Sequence, residues 1–186
     1  MRKLAMLLLL TLPCSLCAAG EEMTLKGVSM PAAMQLEGKK LELNGMGLRT
    51  KVVFKVYVAG LYLEKTSRDG MEIAASEQLK RMELVFLRGV DGADVAKAIA
   101  DGFVNNSGPV LPALKDRIAK FGALIPDVKK GDKLLFLYRP GGGIELQANG
   151  KTTGSVEGKD FADALFRVWL GPKPSDKALK NGLLGL

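Results

Sequence analysis

The side chains that most often carry protein chemistry are sparse in this sequence. It has no His, and its two Cys, Cys14 and Cys17, both fall within the first 19 residues. Those residues have the form of a removable leader. Without them the chain has no thiolate nucleophile, imidazole base, disulfide or His/Cys zinc set. What remains is carboxylate, Lys, Arg and Tyr chemistry, suited to gripping anions and stabilising charge. Carboxylates occur singly among lysines, without a pair placed to work on one bond. Gly45-Met46-Gly47 lacks the third glycine and following helix of a phosphate cradle. Gly141-Gly142-Gly143, between two strand candidates, reads as a hairpin loop. Neither a nucleophile elbow nor a dinucleotide fingerprint occurs, and no metal or cofactor is expected.

The leader consists of Met1-Arg2-Lys3, an apolar stretch from Leu4 to Leu12, and small residues up to Gly20. A basic start, short apolar core and small-residue exit describe a secretory signal peptide. Cys17 and Ala19 stand three and one residues before a cut expected after Ala19, leaving residues 20–186 as a single domain. The apolar stretch falls short of the ~20 residues that a membrane span requires, so no stable span is expected after cleavage. Export implies a periplasmic or secreted protein. The formal charge of +7 falls to +5 without Arg2 and Lys3, and its lysines are dispersed. They read as a solvated basic face with no nucleic-acid-binding module.

The elements that must position any site follow from periodicity. Met34–Leu36 and Leu41–Leu43 alternate around Glu37–Lys40 as a hairpin. Asn44-Gly45-Met46-Gly47-Leu48-Arg49 reads as a glycine-punctuated turn feeding a long strand, Val52–Leu63. In that strand Val52, Phe54, Val56 and Val58 share a core face, with Lys55 and Tyr57 on the other. Met71–Leu79 predicts a short helix and Met82–Leu87 a strand. Helical spacing joins Val95, Ile99 and Phe103 after Asp91, and then Leu114, Ile118, Phe121 and Ile125 before Pro126. Leu134–Tyr138, Ile144–Ala148 and Lys151–Ser155 predict a meander. Phe161, Leu165 and Trp169 line a further helix, and Ser175 is the expected cap of a last one. The sum is an α+β domain, an antiparallel sheet with helices on one face.

The segments Gly45-Met46-Gly47-Leu48-Arg49 and Gly60-Leu61-Tyr62-Leu63 carry a resemblance to the chalcone isomerase-like family. Ala164–Gly171 followed by Pro174-Ser175 is similar to that family's closing helices, and the order of elements agrees over most of residues 23–186. The resemblance implies an open-faced β-sandwich, a large antiparallel sheet with helices packed on one face and a cleft between. In plant members the cleft closes a flavanone ring, and in fatty-acid-binding relatives it holds an acyl chain. An arginine of the glycine-rich segment there meets anionic oxygens, a position that Arg49 occupies. Residue type alone leaves Arg49 as a surface arginine beside a turn. Tyr57 stands where the plant enzymes carry a catalytic threonine, and a phenol there donates to the same anion or simply packs as a strand aromatic. Val168 and Trp169 stand where those enzymes have a polar residue and a Met. Val168 cannot hydrogen-bond, and Trp169 fits either the core or the cleft wall.

Three readings follow: a binder of a lipophilic carboxylate such as a fatty acid, an isomerase (intramolecular lyase) acting on a phenolic chalcone, or a structural module with a filled cleft. The missing threonine and polar group put binding first. One geometric condition applies. Eight residues of uninterrupted strand would hold Arg49 and Tyr57 roughly 26 Å apart, so the chain must bend near Thr50-Lys51 for both to meet one ligand.

Overall fold

Short alternating segments separated by glycine-containing turns favour an antiparallel sheet over parallel crossovers. In the computed structural model, which describes residues 21–186, nine strands form. The leader, its cut after Ala19 and both Cys lie outside the described residues. Strands β1 (Glu22–Leu25) and β2 (Val28–Pro31) make a separate ribbon. Strands β3 (Ala33–Leu36), β4 (Lys39–Lys51), β5 (Phe54–Leu63), β6 (Lys80–Phe86), β7 (Lys133–Tyr138), β8 (Gly143–Ala148) and β9 (Lys151–Glu157) join in chain order. Together they form one seven-stranded antiparallel sheet. Five helices complete the domain: α1 (Gly70–Ala75), α2 (Gly92–Ser107), α3 (Leu111–Gly122), α4 (Lys159–Leu170) and α5 (Lys177–Leu183).

All five helices contribute to one core with the sheet face that carries Tyr57, Ala59, Leu61 and Leu63. The expected α+β architecture, with helices on one face, is the observed one. On the opposite face Met30, Leu41, Met46, Val58 and Tyr62 form a second cluster under the β1–β2 ribbon. That ribbon was not foreseen. The Tyr62 hydroxyl donates to the Pro31 carbonyl at 2.9 Å and fastens it.

Several expectations are corrected. Asn44–Arg49 is not a turn but the interior of β4. Its glycines meet a packing requirement: a Cβ at Gly47 would lie 2.4 Å from the Leu179 carbonyl oxygen, and one at Gly45 would lie 2.2 Å from that of Gly182. Only glycine lets α5 rest directly on the strand. The long strand begins at Phe54, because Val52 and Val53 form the β4–β5 turn. Val52 and Phe54 therefore leave the core, and the opposite set led by Tyr57 enters it. Helix α1 ends at Ala75, short of Leu79, where the buried Lys80 Nζ donates to the carbonyls of Ile73, Ala74 and Ser76. The cap of α5 is Asp176, not Ser175; its Oδ1 accepts from the backbone N–H groups of Ala178 and Leu179.

Gly47→Ala tests the strand–helix seat. Forcing a methyl against α5 is expected to cost about 1–3 kcal/mol, as overpacking does. Urea unfolding reads it as a lowered midpoint with unchanged slope. An unchanged midpoint contradicts the close approach.

Candidate functional site

The β4–β5 hairpin resolves the spacing of the two expected site residues. The chain reverses at Val52-Val53, and the register pairs Arg49 directly with Tyr57. Directly opposed residues project from the same face with Cβ atoms roughly 5 Å apart. The required bend thus exists as a full reversal, two residues beyond Thr50, with a register shift between Arg49 and Thr50. Arg49 and Tyr57 come together.

They meet in a cavity of about 500 Å³ between the sheet end and the helices. Val56, Leu84, Phe86, Ile99, Val168 and Trp169 are among its lining side chains. Such a volume lies within the range of small-molecule sites. Val168 presents only methyl groups to it. Trp169, which fitted either core or cleft wall, serves both: it is buried and lines the cavity. Its indole Nε1 donates to the Tyr57 hydroxyl at 3.0 Å.

That bond decides what Tyr57 can do. The phenolic oxygen already accepts from Trp169, and among the described residues no acceptor takes its hydrogen. Tyr57 is therefore a donor into the cavity. Burial pushes its pKa up to about 12, against smaller lowering effects from the Trp169 hydrogen bond and the nearby Arg49 cation. The ring also packs edge-on against Phe86, with centroids 5.6 Å apart, which fixes its direction.

Arg49 is held on one side only. Its Nη1 donates to the Thr50 carbonyl at 2.8 Å and meets Asp176 Oδ2 at 3.4 Å. Among the described residues Nε and Nη2 make no hydrogen bond, and the side chain stays 21% exposed on the cavity wall. Asp176 has two tasks. One oxygen caps α5, and the other takes the Thr50 N–H at 3.2 Å while facing the guanidinium. Its place was the part of the site that sequence reasoning missed. The available signal was an Asp directly ahead of Lys177-Ala178-Leu179, by residue type as good a cap as the neighbouring Ser175.

The rim carries Lys51, Arg88, Asp91 and Asp94. Arg88 lies over the Phe54 ring with its Cζ 4.7 Å from the centroid, which joins the hairpin to the loop before α2. Among the described residues no cluster of His, Cys, Asp or Glu is arranged to hold a metal ion.

The chain's three tyrosines are Tyr57, Tyr62 and Tyr138. Burial raises all three, Tyr57 and Tyr62 to about 12 and Tyr138 further. An unfolded tyrosine ionises near pH 10. Above that pH the unfolded chain releases protons that the folded chain keeps, so stability falls as pH rises from about 10 towards 12. Tyrosinate absorbance is expected to stay low at pH 10 and to rise together with unfolding. A tyrosinate signal near pH 10 in the folded protein that disappears in Tyr57→Phe contradicts the buried Tyr57 phenol.

No curated protein matches the chain. Among solved structures a fatty-acid binding protein of Arabidopsis thaliana is similar, with a TM-score of 0.74 and 17% identity, over 88% of this chain and 96% of that one. At such identity the likeness shows the fold. The sequence profile of the chalcone isomerase-like family matches residues 22–185. With that span matched, the chain belongs to the chalcone isomerase-like family.

Proposed function

We propose that this protein binds a fatty acid or similar lipophilic carboxylate, with its head group between Arg49 and Tyr57 and its chain along the cavity. The observation that carries this reading is the cross-strand pairing of those two residues at one end of an apolar-lined hollow. The unengaged edge of the Arg49 guanidinium offers two parallel N–H donors, the geometry that a carboxylate accepts. Tyr57 adds a neutral donor whose lone pair is already occupied by Trp169. Each methylene buried along Phe86, Ile99 and Val168 adds about 0.8 kcal/mol of affinity. The similar Arabidopsis thaliana protein is a fatty-acid binding protein, which is in line with this ligand class.

Val168 favours carriage over turnover, because it has no group with which to orient a water or polarise a ketone. Location in the periplasm or outside the cell is part of the proposal and rests on the leader-like first 19 residues.

Native mass spectrometry of protein purified from its source is expected to show a co-purifying fatty acid. Arg49→Ala is expected to weaken fatty-acid binding by about 1.5–3 kcal/mol, the worth of hydrogen bonds to a charged group. Tyr57→Phe is expected to weaken it by about 0.5–1.5 kcal/mol. Absorbance of a chalcone solution is expected to decay no faster with the protein than in buffer. A protein that arrives empty and binds no acyl chain on titration overturns the proposal, and chalcone cyclisation above the buffer rate replaces carriage with catalysis.

A further inference from the structure

The tip of the β4–β5 hairpin lies outside both hydrophobic clusters of the domain. Val52, Val53 and Phe54 are 89%, 76% and 57% exposed, a run of three large apolar residues at the mouth of the cavity. Val52 also holds a φ of 58°, a left-handed conformation that a β-branched residue adopts only at a cost. Turns of this kind normally use glycine or asparagine. An apolar, strained tip facing water contributes nothing to folding that Asn-Gly would not supply better.

Its flanks are cationic. Lys51 precedes the tip, Lys55 follows it, and Arg88 covers the Phe54 ring. Among the described residues none of these three forms a salt bridge. The acidic rim groups, Asp91 and Asp94, belong to the α2 end of the mouth. No helix among the described residues is long and apolar enough to cross a membrane.

We infer that this hairpin tip docks the protein on an anionic bilayer. Val52, Val53 and Phe54 enter the headgroup–acyl boundary, and Lys51, Lys55 and Arg88 lie among the lipid phosphates. Apolar residues ringed by lysines have the chemistry that such a boundary recognises, since long basic side chains keep their charge at headgroup level while their stems pass apolar surface. The docking surface opens directly onto the cavity, so a lipophilic ligand passes between bilayer and protein without crossing water. This purpose rests on the fatty-acid reading, whereas the docking itself is separately measurable.

The test uses the full chain and vesicles of phosphatidylglycerol and phosphatidylcholine in equal parts, compared with phosphatidylcholine alone. The variant is Val53→Ser with Lys55→Glu, two exposed positions clear of the cavity lining. Cosedimentation with the anionic vesicles is expected to weaken at least about tenfold in the variant, the scale of losing one interfacial lysine and one inserted valine. High salt is expected to weaken the wild type towards its level on neutral vesicles. Fatty-acid affinity in solution is measured alongside and is expected to be equal in both proteins, which also shows that the variant folds. Equal binding of wild type and variant to anionic vesicles overturns the docking surface. Loss of vesicle binding in a variant whose urea midpoint matches the wild type, with no fatty-acid binding by either protein, leaves the docking standing and removes the fatty-acid reading.

Discussion

The register of β4 against β5 is the constraint from which the rest of the site follows. With Arg49 opposite Tyr57, a cation and a phenol share one face at the end of the sheet. A one-residue slip would send one of them to the face under the β1–β2 ribbon. Two features hold the register in place. Helix α5 sits on the glycine-bearing part of β4, where any side chain at Gly45 or Gly47 would strike its backbone. Asp176, at the start of that helix, ties the Thr50 N–H and the Arg49 guanidinium. The glycines therefore act on the site at a distance, by letting the helix deliver a carboxylate to the strand.

Asp176 also explains why Arg49 can face an apolar hollow at all. A guanidinium left without a partner near such a wall carries a desolvation penalty. Here it has a carboxylate at 3.4 Å and a carbonyl at 2.8 Å, both on Nη1, so the other edge stays available. The long ion pair steadies the side chain without saturating it. Tyr57 is arranged on similar terms, with its oxygen occupied by Trp169 and its hydrogen left for another acceptor. Both groups are donors, and both point to an anion.

Much of the architecture was readable in the sequence because it rests on period and punctuation. The 34–36/41–43 hairpin, the three-strand meander after Leu134 and the stripes of α2, α3 and α4 all follow from apolar spacing. What was misread depends on tertiary context. Gly45 and Gly47 look like turn residues locally, and only the approach of α5 makes them strand residues. Val52 and Val53 look like strand residues locally, and only the tertiary fold makes them a turn. Those two errors shared one cause and displaced the hairpin by several residues. Of the site, Arg49 and Tyr57 are reached through motif likeness; their meeting stands in the sequence only as a condition, a bend near Thr50-Lys51, and it is the hairpin at Val52-Val53 that pairs them. The Trp169 hydrogen bond and the Asp176 strap join segments more than a hundred residues apart, which no local pattern reports.

The central claim is that an anionic head group rests against the Arg49 guanidinium in a partly dehydrated site. Carbon-13 NMR of a fatty acid labelled at its carboxyl carbon tests this directly, by titrating the bound carboxyl group. Beside a fixed cation it is expected to stay ionised well below the pH at which a carboxyl protonates in water, and to lose that protection in Arg49→Gln. A bound carboxyl that titrates as it does in water, unaffected by that substitution, contradicts the account.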